Sequence, residues 1–312
     1  MKSFYHIENE QLKQTSDKNA HIIVYTNIEE QEKLALIEKY ELDQSDIDSI
    51  FDPDEVPRME YENGRLFIIW KVPDNASMKD IIQFEVSSIG LIYTKGEVAL
   101  IIPKGNLSLG GKEFRKMTTI FDFLLKVMLS TIRHYQSHLK AIKLIANEIE
   151  TKLVVSMENK YLLQMFTIGE SLIYYHNALE GNSTILVKLR YIAEKLKLNE
   201  EEIEYLEDVS IENQQAVKQA SIYSSILSGL MDARGTIINN NMNILLKNLT
   251  VINVVFLPLN LIASIGGMSE FSEITRGIDW RISYSLFCLA MALIGWITWY
   301  ILDRFHTTKK KN

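Results

Sequence analysis

One cysteine, Cys288, occurs in 312 residues, and it lies inside a long apolar run. A single thiol can build neither a disulfide framework nor a cysteine-based zinc centre within one chain. Basic residues are in deficit as well. Lys and Arg number 33 against 40 Asp and Glu, the net charge is −7, and no basic block precedes the extreme C-terminus. Nucleic acid demands clustered Lys and Arg, so it is excluded as a partner. Glycine-rich phosphate loops, a nucleophile elbow and a Ser/His/Asp arrangement are all missing, which leaves no basis for an enzyme or for an organic cofactor. The N-terminus, MKSFYHIENEQLKQ, lacks the apolar core of a secretory signal, so the N-terminal part is expected to stay on the side where it is made.

What is present changes steeply along the chain. The first 240 or so residues are rich in Glu, Lys and Asp, whereas nearly all long apolar runs lie between Leu249 and Leu302. Two runs, Lys247 to Met268 and Ile282 to Leu302, each approach the ~20 residues that cross a bilayer as a helix. The segment between them, SEFSEITRGIDWR (269–281), carries three acids and two arginines, and the tail (303–312) ends TTKKKN. Positive-inside bias places both termini in the cytoplasm of an inner-membrane protein, with the acidic loop outside.

Residues 1–115 mix β-like runs (HIIVYTN, RLFIIWKVP, FEVSSIGLIYT, VALIIP) with the helical QEKLALIEKY and the turn-rich FDPDEVP, which predicts a cytoplasmic α/β domain. From Phe114 there is no proline until Pro258, and apolar residues recur at three and four positions, predicting helical hairpins over 116–200. A last helix over 201–268, starting near Glu200, runs without a strong breaker into the first span; at about 60 residues it would be ~90 Å long and must pack as a stalk.

The first span is not uniformly apolar. At ~100° per residue, Asn243, Thr250, Asn253, Asn260 and Ser264 fall within an arc of roughly 100°, together with Leu246 and Leu257. Polar groups at membrane depth must meet protein or water, so this face should look inward. Helix-to-helix glue is the plainer use of such residues, but three asparagines in register with Thr and Ser favour a pore lining. One stripe cannot close a ring, so the chain is expected to self-associate. A lining of amide and hydroxyl groups without fixed charge suits a divalent cation that keeps its water, as Mg2+ does. The leucine collars can gate by dewetting, and Glu270, Glu273 and Asp279, repeated around a ring, would gather cations outside.

These residues carry a family resemblance. NNNMNILLKNLTVINVVFLPLNLIASIGGMS resembles the pore helix of the CorA-type magnesium and cobalt transporters, FDPDEVPRMEYENGRLFIIWKVP their acidic-proline segment and strand, and YLEDVSIENQQAVKQASIYSSILSGLMDA their stalk, with its Ser228–Asp232 run. The chain is identified as a member of that family, which implies a funnel-shaped homopentamer in the lipid bilayer with the second span outermost. By resemblance, Asn243 is the cytoplasmic polar ring, Leu246 and Leu249 are the hydrophobic gate, and Asn260 is a mid-pore position. Asp208 would hold regulatory Mg2+ between copies, with Asp74 as its partner acid. Where the family has Tyr-Gly-Met-Asn, this chain has Gly266, Gly267, Met268 and Ser269. Glycine permits the tight turn that ends a span. A serine ring is wider and reaches a hydrated ion less well than an asparagine ring, so altered selectivity, or a selectivity ring displaced to Asn260 and Asn253, is expected. Conduction of Mg2+, with Co2+ and Ni2+, down the electrochemical gradient and gated by cytosolic metal is the leading reading. A transporter of Zn2+ or another transition metal, and a non-conducting membrane-anchored metal sensor or scaffold, are the alternatives.

His134 and His138, at i and i+4 in IRHYQSHLK, could face one metal. No Glu stands in a zinc-protease position and no third ligand is near, so packed histidines on a helical hairpin are expected there. The run NEEEIEYLEDVSIEN reads mostly as a solvated helix face, with Asp208 and Glu212 kept for cation sensing.

Overall fold

The computed structural model describes all residues except 18, 75–76, 79–81, 95, 106, 111, 156–158 and 309–312. The chain divides into two compact units, Met1–Met231 and Asp232–Asn312.

The first unit is built on a mixed sheet. Its strands are β1 (Lys2–Glu8), β2 (Gln11–Thr15), β3 (Ile22–Thr26), β4 (Arg58–Glu62), β5 (Arg65–Pro73), β8 (Val86–Thr94) and β9 (Glu97–Ile102), with a two-residue pair β6 (Ser77–Met78) and β7 (Ile82–Gln83) apart from it. The order across the sheet is β2-β1-β3-β9-β8-β5-β4; β3 and β9 run parallel and the other neighbours antiparallel. Both faces are covered, which is why RLFIIWKVP is a continuous apolar run with every residue from Leu66 to Pro73 buried. Successive side chains point to opposite faces. Leu66, Ile68, Trp70 and Val72 join one core with the long helices, and Phe67 and Ile69 join a second with α1 (Glu30–Tyr40) and α2 (Gln44–Phe51).

Strand β4 pairs with β5 only as far as Ile69, opposite Arg58. Beyond that point the buried Asn182 stands in for a strand: its Oδ1 accepts the Lys71 N–H at 3.1 Å and its Nδ2 donates to the Lys71 carbonyl at 2.9 Å. The Lys71 ammonium is buried too, and donates to the Pro53 carbonyl at 2.5 Å and to Ser88 Oγ at 2.9 Å. Burial pulls its pKa down, against the opposing pull of Asp52, Asp54 and Glu55. The acidic-proline segment is therefore strapped to the sheet by this lysine. Trp70 Nε1 donates to Thr131 Oγ1 at 2.8 Å and fixes the sheet to α3 (Ile120–Val155).

Helix α3 is followed by α4 (Asn159–Tyr191), the one-turn α5 (Ala193–Leu196) and the 67-residue α6 (Glu200–Gly266). The start of α6 is set by a reciprocal cap. Asn199 Oδ1 accepts the Glu202 N–H at 2.8 Å, and Glu202 Oε2 accepts the Asn199 N–H at 2.8 Å. Helix α6 begins in the first unit, where Leu206, Val209, Ala216, Ala220 and Leu227 enter the core, and its last part belongs to the second unit.

The second unit also holds α7 (Ser269–Ile274) and α8 (Trp280–Thr308). Helices α6 and α8 each contain a window long and apolar enough to cross a membrane and unburied by the chain itself. On α6, Val251, Val255, Leu259 and Ile262 are half-buried and Gly266 is buried, while the residues between them are exposed. On α8 the half-buried residues are Ser283, Phe287, Met291, Gly295 and Thr298. Leu259 meets Gly295 and Phe287 meets Gly266, so the two spans pack antiparallel along these two stripes. The first span ends at Gly266 rather than Met268, because the Gly267 and Met268 N–H groups turn back to Ser264 and Ile265 carbonyls and Met268 is extended (φ −81°, ψ 151°) as the residue before α7. The segment expected as loop over 269–281 contains that short helix, and α8 starts at Trp280 rather than Ile282. Of the expected basic tail, α8 carries the part up to Thr308, and 309–312 lie outside the described residues.

Candidate functional site

The polar arc of α6 is fully presented. Asn243, Thr250, Asn253, Asn260 and Ser264 are all exposed, and so are Leu246, Leu249 and Leu257 between them. Counting ~100° per residue from Asn243, the arc centres near 300°, whereas the half-buried Val251, Val255, Leu259 and Ile262 and the buried Gly266, of which Leu259 and Gly266 meet α8, centre near 120°. The two faces lie on opposite sides of the helix. Thr250 donates its hydroxyl to its own helix at the Leu246 carbonyl, 2.8 Å away, so the outer side of that oxygen offers lone pairs only. The helix continues through Pro258, whose missing N–H leaves the Val254 carbonyl without its usual donor.

At the end of the arc, Gly267, Met268 and Ser269 form an exposed turn. Ser269 Oγ donates to Glu270 Oε2 at 3.2 Å, which turns the hydroxyl into an acceptor backed by a carboxylate. The acids expected to lie outside are not equivalent. Glu273 is paired with Arg276 at 2.7 Å, both exposed, while no cation pairs with Glu270 among the described residues. Glu273 is therefore a neutralised member of the expected external set. Asp279 Oδ1 accepts the Arg281 N–H at 2.9 Å at the start of α8.

The two acids expected to bind metal both belong to the first unit. Asp208 is exposed on α6, one turn from Tyr205, whose hydroxyl pKa is pushed up to about 12, chiefly by burial. Asp74 is half-buried. Its Oδ1 accepts the Ser87 hydroxyl at 2.6 Å, and it lines a cavity of about 50 Å³ with Lys104 and His134. Among the described residues no group of three His, Cys, Asp or Glu side chains could hold a metal ion within one chain. Glu212 accepts a hydrogen bond from Gln136 Nε2 at 2.8 Å and so serves the contact between α6 and α3.

The histidine pair packs. The His134 and His138 rings lie 4.3 Å apart, His138 is stacked near Tyr175 and tilted over Phe84, and its Nδ1 is 2.6 Å from the Tyr175 hydroxyl. Burial first, and then the neighbouring His134, push the His138 pKa down to about 4. Sequence reasoning missed the aromatic residues that hold the turn at the end of α6. Phe287 contacts Gly266, and the Phe271 and Phe287 rings are 5.3 Å apart. The available signal was Gly266 itself, a small residue at a span end with Phe271 close behind it; Phe287 is 21 positions away and gives no local sign of the contact.

Comparison with known proteins adds three findings. The model of the family described as CorA-like Mg2+ transporter protein matches residues 18–304. The cobalt/magnesium transport protein CorA of Methanocaldococcus jannaschii is 26% identical over 253 residues, covering 77% of each chain, and that of Thermotoga maritima is 30% identical over 98 residues, 31% of this chain and 27% of its own. The complete structure of the CorA magnesium transporter from Methanocaldococcus jannaschii superposes with a TM-score of 0.78 at 22% identity, covering 97% of this chain and 96% of that one, which shows the fold.

Proposed function

The chain belongs to the CorA-like Mg2+ transporter family, and from that premise we propose that it conducts hydrated divalent cations, Mg2+ foremost and Co2+ and Ni2+ with it, through a pore formed by five copies. The observation that carries the reading is the opposition of the two faces of α6. The side toward α8 is apolar and packed, and the opposite side offers amides and hydroxyls that no described residue covers. Arranged around an axis with α8 outward, five such faces line a water-filled path, and α8 meets lipid.

Each residue then has a task. Ser269, with Glu270 behind it, offers acceptor oxygens to the water of an arriving ion. Gly267 and Met268 hold the turn that presents them. Asn260, Asn253, Thr250 and Asn243 exchange hydrogen bonds with the hydration shell, so the ion need not shed water that Mg2+ releases reluctantly. Leu246, Leu249 and Leu257 form collars that dewet when the helices approach. Without a nucleotide site the driving force is electrochemical, about 4.6 kcal/mol per 100 mV for a divalent ion. Positive-inside bias puts both termini in the cytoplasm, where Asp208 and Asp74 would bind regulatory Mg2+ between neighbouring copies. Among the described residues one chain lacks a complete ligand set, and bridging by metal would hold the stalks in the closed arrangement.

Uptake into liposomes carrying the purified protein, compared for Mg2+, Co2+, Ni2+ and Zn2+, tests this. Mg2+ flux that disappears in Asn260→Ala supports the pore. Absence of flux for every ion, with flux appearing in Ser269→Asn, would overturn conduction in favour of a sensor. Asp208→Ala is expected to relieve inhibition by internal Mg2+.

A further inference from the structure

The residue that orients the pore's outer turn lies on the other span. Among the described residues of the second unit, Gly266 alone is buried. A Cβ there would sit 2.5 Å from Phe287 Cζ and 2.9 Å from Cε2, so the ring rests directly on the last residue of α6. The same ring faces Phe271 at a centroid distance of 5.3 Å and a tilt of 58°, and Tyr284 backs it at 6.3 Å. Gly266 immediately precedes the turn formed by Gly267, Met268 and Ser269, and Phe271 lies two residues after it. One ring thus touches both shoulders of the turn. Two turns further along, Leu259 Cδ1 meets the Cβ position of Gly295 at 3.4 Å. Each span therefore supplies one glycine and receives one bulky side chain, and the two contacts fix the antiparallel register. In the family pattern Gly266 stands at the tyrosine; here an aromatic ring reaches that place from the second span.

We propose that Phe287 is the positioning residue for the Gly267-Met268-Ser269 turn, setting ion selectivity from outside the conduction path. The proposal rests on the reading that this turn meets the incoming ion. Gly266 and Phe271 are held as a pair, so the span between them is fixed, and the Ser269 hydroxyl is presented at one radius in every copy. Removal of the ring frees both shoulders together; where a reaction depends on positioned groups, a misplacement of about 1 Å costs up to about 10²-fold in rate, and a loss of discrimination of about tenfold is expected here.

The test uses the full-length chain in proteoliposomes and reads the ratio of Mg2+ to Ca2+ uptake beside the maximal rate. Phe287→Ala is expected to lower the ratio about tenfold with a smaller change in maximal rate, and Phe287→Tyr to retain it. Gly266→Ala should lower the ratio as well, and the double variant should be no worse than Phe287→Ala, since both act through one contact. Met291→Ala, on the same face of α8 but away from the turn, should lower thermal stability and leave the ratio unchanged. Phe287→Leu serves if the alanine variant does not assemble. A wild-type ratio in Phe287→Ala or Phe287→Leu, or an equal loss in Met291→Ala, overturns the proposal while leaving conduction intact. A wild-type protein without divalent flux defeats the conduction reading, and this proposal with it.

Discussion

Asn253 and Val255 are two residues apart on α6 and lie on opposite faces, the first exposed in the polar arc and the second half-buried in the stripe facing α8. Two near-isosteric exchanges separate pore from packing. In Asn253→Leu the amide proposed to meet the ion's water is replaced by a methyl-bearing surface. Each lost hydrogen bond is worth about 1 kcal/mol net, and with two or three of the symmetry-related amides engaged at once the barrier rises by roughly 2–3 kcal/mol. At about 1.36 kcal/mol per decade, Mg2+ flux should fall about 30- to 150-fold. Thermal stability should hardly change, because Asn253 is exposed and has no partner among the described residues of its chain. Val255→Asn does the reverse: it buries an unpartnered amide between two spans at a cost of about 1–3 kcal/mol, so the melting temperature should drop while flux per assembled oligomer persists. Liposome uptake with a Mg2+-sensitive dye, paired with thermal unfolding in detergent, reads both. If Asn253→Leu conducted within about twofold of wild type, less than the loss of one such bond, the assignment of this face to the ion path would be wrong, and so would the view that Asn253 compensates for Ser269.

Three further outcomes are expected. Asn182→Ala strands the buried Lys71 N–H and carbonyl, each costing about 1–3 kcal/mol, and should lower the unfolding midpoint without altering ion selectivity. The His138 pKa near 4 lies below its ordinary 6.5, so the unfolded chain holds the proton more tightly. Stability should accordingly be full above that ordinary value and decline as the pH falls toward the folded one, a dependence that His138→Gln removes in an acid titration followed by circular dichroism. At low ionic strength Glu270→Gln should slow uptake from dilute Mg2+ more than Glu273→Gln does, because Arg276 already balances Glu273; equal effects would show that the pair does not hold.

Periodicity made the large features legible. The runs around Ile262 and Leu293 announced two spans, and the register of Asn243, Asn253 and Asn260 announced a polar face, because both signals are local and repeat at the helical period. The stop of α6 at Gly266 was displaced by two residues, since the turn is tightened by i−3 bonds that resemble helix in sequence. The hairpin of β1 and β2 and the helix α2 were not anticipated. The hairpin has few apolar residues and is held by its place in the sheet, whereas α2 did carry a local signal, the reciprocal cap of Asp43 and Asp46 ahead of Ile47 and Ile50. What sequence could not disclose are pairings across distance: Asn182 with Lys71, 111 positions apart, and Phe287 with Gly266, where the meaning of a glycine depends on a ring from another helix. The Glu273–Arg276 pair was within reach, being an i,i+3 spacing of opposite charges.

The strand order of the first unit has a kinetic consequence. Strands β1, β2 and β3 form one antiparallel block and β4, β5, β8 and β9 another, each closed by connections between antiparallel neighbours. Among the described strands only the parallel seam joins them, with Ile22 opposite Val98 and Thr26 opposite Ile102. That seam requires the closure of the loop from Thr26 to Glu97, which contains β4, β5 and β8, and parallel pairing across such a separation is intrinsically slow. The two blocks can assemble early and independently, and their joining is the step that waits. Truncations at the seam, such as Val24→Ala or Leu100→Ala, should therefore slow refolding, whereas truncations within a block, such as Ile68→Ala, should chiefly hasten unfolding.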